Sequence, residues 1–559
     1  MHRSRARRRS RRLLTHGLPL VLIAAGALVL GWYLAGAGAR AEHRLVVNYT
    51  SAWQHHDYAE MYALLSPGAT RRMSLRRFST RLERTAQTAT ETSLRPLRVI
   101  SIAGGWARVR CAVSTRVFGT LREVLRMPLS GSGGGARVRF GNSLLFPGLA
   151  ASGRLRRRAL LGARGTLLAS DGQVLAAGSS LHTSIPVVAG EIVGTLGPIP
   201  PARASWYAMR GFPRDAQVGQ DGLEAIFQRR LAGRPGGQLE AGRRLLASVP
   251  PRAGAAVRTT IDPDLEQDAI DAIAGHYAGI TVLNPHNGDI EAAAGLAFTA
   301  LQPPGSTFKI ITVSAALSDG VATPQTEYPE VSQVTIDGFK LHNAAGEVCG
   351  GTLQNAFAVS CDTTFAPLGD QIGATRLVAM ARSFGFDRPT GIATALESTI
   401  PSAAAIGGPV ALGASAIGQG LVQASTLEMA DAGATIANGG LRPVPTMNQS
   451  ARPRYVRAVS PTVAAEVQTM MEAVVSYGTG TSAQIPGVTV AGKTGTAELA
   501  NTAGKRNDAR ETDAWFVGYA PVPDPKVVVC ALFPNAGYGA QAAAPAVKEV
   551  LEDALGMTP

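Results

Sequence analysis

The sequence predicts a multidomain α+β protein with one N-terminal transmembrane helix, a small α+β domain, an extended intermediate region, and a large domain whose central antiparallel sheet is flanked by helices. Three observations carry that expectation. The chain has 559 residues, 45% hydrophobic and 17% charged, which suits several packed cores and not a disordered polymer. A charge-free run follows an arginine cluster near the N-terminus. Beyond it, helical periodicity gives way to alternating strands, and later to Gly/Ala-rich helical stretches followed by a strand hairpin.

The opening "MHRSRARRRSRR" supplies seven of the +14 formal charges, and no acidic residue precedes Glu42, so the remainder is only mildly basic. Leu18 to Ala39 carries no charge over 22 residues. As a helix it can cross a bilayer core of about 30 Å. The arginines favour a cytoplasmic N-terminus, with Trp32 and Tyr33 near the outer interface and everything from Arg40 outside. The small residues of "AGAGA" also allow a cleaved signal peptide, but the apolar run exceeds a usual signal core, so residues 1–40 are read as a basic tail and retained anchor.

Residues 41–150 read as helices and then a meander. Val46, Tyr49, Trp53, Tyr58, Met61, Tyr62 and Leu65 fall near helical spacing, with a break at His55-His56-Asp57. From Leu94 to Pro147, "LRVISI", "WARVRCAVSTRVF" and "ARVRFGNSLLF" alternate as half-buried strands do. A second arginine cluster, Arg71, Arg72, Arg76, Arg77, Arg81 and Arg84, surrounds Met73, Leu75, Phe78 and Leu82. That pattern describes the solvated face of an amphipathic helix, and no nucleic-acid-binding motif accompanies it. His55 and His56 read as surface residues at a helix junction. With "AWQHHDYAEMYALLS" and "SLLFPGL", this region resembles the nuclear-transport-factor-2-like domain at the N-terminus of some penicillin-binding proteins, which implies a small cone-like α+β domain.

Four scattered cysteines, Cys111, Cys349, Cys361 and Cys530, lack zinc-site spacing, so no metal or other cofactor is expected. Cys349 and Cys361 are the close pair, but spacing leaves a disulfide and two buried thiols equally open.

Residues 151–258 begin as a linker into a hairpin whose turn is "SDGQ". Arg164, Gly165, Asp171, Gly172 and Leu175, then "IVGTLGPIP" and "DGLEAIFQRRLAGRPG", resemble the non-catalytic pedestal or dimerisation-type region of class B penicillin-binding proteins.

The chemistry concentrates in residues 259–559. Six lysines stand against 48 arginines, so a lysine marks a need that arginine cannot meet, above all the loss of a proton. The first lysine, Lys309, follows Ser306 by three residues in "PPGSTFKIITVSAAL", where Pro303, Pro304 and Gly305 predict a helix starting at Ser306. Residues three apart share a helix face, and a desolvated, neutral lysine can take the serine proton. Alone, the pair favours the plainer reading of a helix cap followed by a snorkelling lysine, because a pattern with two fixed positions arises easily by chance.

Two further elements change the reading. "VTVAGKTGTAE" is a strand entering Lys493-Thr494-Gly495-Thr496, where glycine admits an extended ligand backbone and Lys493 with the Thr494 and Thr496 hydroxyls can bind a carboxylate. In "AVSCDTTF", Ser360 and Asp362 can line the same cleft. Serine-x-x-lysine, serine-x-(asparagine) and lysine-threonine-glycine, in that order, are the signature of penicillin-binding proteins and serine β-lactamases. "TTIDPDLEQDAIDAI", "VLNPHNGDIEAAAG", "GQGLVQASTLEMADAGATIANGG" and "DAWFVGYAPVPDPKVVVCALF" extend a resemblance to class B transpeptidases from about Arg164 to the C-terminus.

That resemblance implies Ser306 as the acylated nucleophile, Lys309 as its base, Ser360 as proton relay, and Lys493 and Thr494 as substrate-orienting residues. The Ser306 and Thr496 backbone amides form the implied oxyanion hole. The implied reaction joins peptidoglycan stem peptides after release of a terminal D-alanine, and β-lactams acylate the same serine. D,D-carboxypeptidase, β-lactamase, and a β-lactam sensor or scaffold share these residues and remain alternatives. A membrane glycosyltransferase is an implied partner, because no such domain is recognisable before Arg164. One departure stands out: Asp362 replaces the usual asparagine, and pairing with Lys309 is expected to raise the lysine pKa and slow acylation.

Overall fold

A computed structural model of the protein describes residues 18–498 and 512–557. The chain forms two compact units. One runs to Ala163 and takes in Pro198–Gln217 and Ala232–Ala253; the other takes in Arg164–Gly197, Val218–Leu231 and the chain from Gly254 onward.

In the first unit a helix, Leu18–Gln54, breaks at His55–Asp57 before the helix Tyr58–Ala63, whose first turn is capped by the Asp57 carboxylate accepting from the Glu60 amide at 2.8 Å. Val46, Tyr49, Trp53 and Met61 are buried in its core. The strands Glu91–Ala103, Trp106–Thr115, Gly119–Ser130 and Arg137–Val138 then pair in sequence order as an antiparallel sheet. Ala107, Val109, Cys111 and Val113 are buried while Arg108 and Arg110 are exposed, the two-residue period of a sheet with one wet face. On the helix Leu75–Ala89, Phe78 and Leu82 are buried, whereas Leu75 is exposed and Met73 lies outside the helix. All six clustered arginines, Arg71 to Arg84, face solvent.

The anchor expectation, Leu18–Ala39, falls largely on residues whose side chains lie outside the described set. Among the described residues no helix is long and apolar enough to cross a membrane.

The second unit is built on five antiparallel strands in the order Ile290–Gly295, Gly279–Leu283, Val527–Phe533, Thr512–Ala520, Ala491–Glu498. Val527–Phe533 is buried along its whole length, so its apolar run fills two cores. Val528, Cys530 and Leu532 join the core of the helix Thr426–Ala437. Val527, Val529, Ala531 and Phe533 join the core of Pro263–Ile273 and the C-terminal helix Ala543–Ala554. On Thr426–Ala437, a Cβ at Gly433 would come within 2.8 Å of the Val517 side chain, so glycine brings helix and sheet close together. Asp262 and Ser425 cap their helices by accepting backbone amide bonds.

Two local expectations are corrected. Helical structure does not run uniformly from Ser306: a 3-10 turn, Gly305–Phe308, precedes the α-helix Lys309–Ser318. Gly305 at φ +53° lies outside α geometry, and the tighter turn carries the chain from it into the helix. The strand begins at Ala491, so Lys493 to Thr496 lie within it, and Val488 and Val490 belong to the approach.

Candidate active site

Three backbone segments meet around Ser306, and glycines set how closely. A Cβ at Gly305 would lie 2.7 Å from the Thr496 carbonyl oxygen, and one at Gly495 would lie 2.8 Å from the Pro304 carbonyl oxygen. The turn carrying Ser306 therefore rests directly on the strand carrying Lys493 to Thr496. Gly418 closes the other side: the Gly305 amide donates to its carbonyl at 3.0 Å, and a Cβ there would meet the Gly305 carbonyl at 2.2 Å. The two backbones expected to supply oxyanion-hole amides, at Ser306 and Thr496, are thus held against each other.

Ser360 occupies the turn between the helices Leu353–Ala358 and Asp362–Ile372, at φ +62°. A serine in the left-handed region persists where neighbours over-determine it. Here both lysines do so. Lys309 Nζ donates to the Ser360 carbonyl at 2.7 Å and lies 3.4 Å from its Oγ, while Lys493 Nζ donates to that Oγ at 2.9 Å. Lys493 also donates to the Thr494 carbonyl at 3.1 Å.

Both lysine side chains are fully buried, Lys309 over the Phe365 ring and Lys493 over Phe357. Burial disfavours the ammonium form. It pushes the Lys309 pKa below the usual lysine value, against the opposing charge and hydrogen bond of Asp362. Lys493 is pushed well below that value, first by burial and then by the Lys309 charge, with Asp362 again opposing.

Asp362 opens its helix and pairs with Lys309 at 2.6 Å. The expected ion pair forms, but the net direction at Lys309 is downward because desolvation outweighs the single, partly exposed carboxylate.

Several supports were not legible in the sequence. Thr479 Oγ1 lies 2.5 Å from Thr494 Oγ1, and the Thr479 amide donates to the Ala358 carbonyl at 3.1 Å, joining the Lys493 strand to the helix before Ser360. Asn343 accepts from the Thr363 amide at 2.9 Å and donates to the Val331 and Glu347 carbonyls. Cys349 and Cys361 form a disulfide, resolving the two open alternatives, whereas Cys111 and Cys530 are free and buried. On the strand, the Gly539 amide donates to Thr496 Oγ1 at 3.4 Å. The arrangement can deprotonate a serine, hold a carboxylate and return a proton to a leaving amine.

Known proteins place this geometry. A family described as the penicillin binding protein transpeptidase domain matches residues 278–552. The peptidoglycan D,D-transpeptidase PbpA of Mycobacterium tuberculosis is 33% identical over 421 residues, covering 63% of this chain and 81% of the relative. The D,D-transpeptidase domain of a peptidoglycan glycosyltransferase from Eggerthella lenta is 30% identical with a TM-score of 0.58, over 71% of this chain and 100% of that one. Penicillin-binding protein A from M. tuberculosis, solved as a ceftriaxone acyl-enzyme complex, is 28% identical with a TM-score of 0.57, over 70% and 98%. With two buried lysines converging on Ser360 beside a Ser306 turn seated on the Lys493 strand, and with similarity that spans most of these relatives' lengths, the chain belongs to the penicillin-binding protein transpeptidase family.

Proposed function

We propose that the protein is a peptidoglycan D,D-transpeptidase that works through a Ser306 acyl-enzyme and is acylated by β-lactams at the same residue. The observation that carries this reading is the convergence of Lys309 and Lys493 on Ser360, next to the Ser306 turn.

A neutral Lys309 accepts the Ser306 proton as Oγ attacks the carbonyl between two D-alanines. The Ser306 and Thr496 amides stabilise the oxyanion, where preorganised donors are most effective. Ser360 passes a proton from the lysines to the departing D-alanine nitrogen, and Lys493 with Thr494 and Thr496 holds the substrate carboxylate. An amine of a second stem peptide then attacks the ester and restores the Ser306 hydroxyl.

The finer assignments belong to the same proposal: an anchor in residues 1–40 with the N-terminus cytoplasmic, a nuclear-transport-factor-2-like domain over 41–150, a pedestal over 151–258, the catalytic domain over 259–559 outside the cytoplasm, and a membrane glycosyltransferase as partner. The arginine-flanked apolar run supports the orientation, and the Cys349–Cys361 bond supports an oxidising compartment.

Fluorescent penicillin with the full chain and with Ser306→Ala, together with product analysis on stem-peptide substrates, tests the assignment. Stable, Ser306-dependent label and cross-linked product are expected. Rapid loss of label would indicate a β-lactamase, and trimmed, uncross-linked product a carboxypeptidase. The Lys309–Asp362 pair favours a second reading, a slow enzyme serving mainly as sensor or scaffold, for which label without turnover is the expected result.

A further inference from the structure

Ser360 and Asp362 are separated by one residue, and that residue is covalently tied elsewhere. Cys361 is buried and bonded to Cys349, which lies on the short strand Cys349–Thr352 paired with Glu327–Val331, apart from the five-stranded sheet. We propose that the Cys349–Cys361 disulfide is a positioning element of the acylation site, pinning the turn that presents Ser360 so that the chain is fully competent for acylation only when the bond is formed.

Three features support this. Ser360 sits at φ +62°, a conformation that a serine holds only under constraint. Most polar bonds that constrain it come from Lys309 and Lys493, the groups that exchange protons and meet substrate during the reaction, so those bonds change as the reaction proceeds. The disulfide does not change, and with Asn343, which accepts from the Thr363 amide, it ties down Cys361 and Thr363, the residues on either side of Asp362. Cys349 is part-exposed and Cys361 buried, and the remaining cysteines, Cys111 and Cys530, are buried and unpaired, so this is the one disulfide the four cysteines form. Reduction therefore acts on this bond. It adds two electrons and two protons to give two thiols, while a phosphine reductant takes oxygen from water and leaves as phosphine oxide.

The inference rests on the acyl-enzyme reading of Ser306, and the test separates the two. The full chain is labelled with fluorescent penicillin before and after treatment with tris(2-carboxyethyl)phosphine, with circular dichroism to verify folding and a thiol titration to verify reduction. Reduced, folded protein is expected to acylate roughly tenfold more slowly, the consequence of a turn that visits its competent geometry about one time in ten. Reoxidation restores the rate. Cys349→Ser shows the same loss and no response to reductant.

A double-variant comparison distinguishes positioning from general stabilisation. In Ser360→Ala the residue being positioned has lost its hydroxyl, so reduction is expected to slow its residual acylation less than about twofold. If reduced wild type labels at the oxidised rate, or if Ser360→Ala loses a further tenfold, the bond is only a structural staple and the proposal falls. If oxidised wild type never labels while folded, the acyl-enzyme reading fails first and takes this inference with it.

Discussion

Replacing Asp362 by asparagine tests how the site sets the protonation of its base. In the resting structure the carboxylate lies 2.6 Å from Lys309 Nζ, a buried group that also donates to the Ser360 carbonyl and lies 3.4 Å from its Oγ. Two effects oppose each other: burial lowers the lysine pKa, and Asp362 raises it. The first dominates. Two unit charges 4 Å apart attract by about 4 kcal/mol at an effective dielectric of 20, and the partial exposure of Asp362 screens part of this. Even about 1.4 kcal/mol surviving would hold the neutral lysine population tenfold lower wherever Lys309 is mainly protonated. Asparagine keeps an oxygen that can accept from Nζ but removes the charge, so the pKa falls further. Because the neutral form is the base, the acid limb of the acylation profile then moves to lower pH. The assay is the second-order rate of acylation by benzylpenicillin from pH 5.5 to 9.5, for wild type and Asp362→Asn. On the acid limb the variant is expected to acylate roughly tenfold faster, with the two rates converging at high pH, where Lys309 is neutral in both. Superimposable profiles would refute the argument, and a slower variant at every pH would mean that the carboxylate positions Lys309 more than it restrains it.

Other perturbations follow from the same geometry. Gly305→Ala forces a side chain into a left-handed residue facing the Thr496 carbonyl; a loss of about 2–4 kcal/mol in chemical denaturation and at least tenfold slower acylation are expected. Thr479→Val removes the hydroxyl facing Thr494 Oγ1, and should cost about 1 kcal/mol of stability while slowing penicillin acylation severalfold through the loosened Lys493 strand. Glu266 is fully buried, accepts from the Ala293 amide, and has its pKa pushed up to about 8 by burial. An acid raised in the folded state destabilises it progressively as pH rises from the ordinary carboxyl range to about 8. Glu266→Gln, which stays neutral, should therefore melt higher than wild type at pH 8 and lose that advantage near pH 5.

What was legible in the sequence follows from how narrowly each role restricts its residue. Ser306, Lys309, Ser360 and Lys493 stood out because proton transfer and carboxylate binding admit few side chains, and because lysine is scarce in this chain. The strand Val527–Phe533 and its hairpin partner stood out because a strand buried on both faces has few alternatives to an unbroken apolar run. Gly418 and Thr479 did not. Each acts through backbone proximity to a segment more than 100 residues away in sequence, Gly418 at Gly305 and Thr479 at Ala358, and no local pattern encodes such a meeting. The Cys349–Cys361 spacing was equally silent, since twelve residues can close a disulfide or hold two thiols apart.

The Asp362 substitution was legible as a residue but not as a balance of effects. From the sequence, an aspartate beside Lys309 argues for a more basic lysine. In the fold, the same lysine is enclosed by protein, with Phe365 beneath it and a second buried lysine sharing the Ser360 hydroxyl. Two ammonium groups with one carboxylate leave an unbalanced buried charge, and loss of one proton removes it without moving an atom. Asp362 then determines where the remaining proton resides. It lies against Lys309, while among the described residues no carboxylate forms an ion pair with Lys493, whose pKa burial pushes well below the usual lysine value. Asp362→Asn should therefore redistribute that proton between the lysines as well as release it, and 15N shifts of the two Nζ atoms followed through the same pH range would separate redistribution from simple loss.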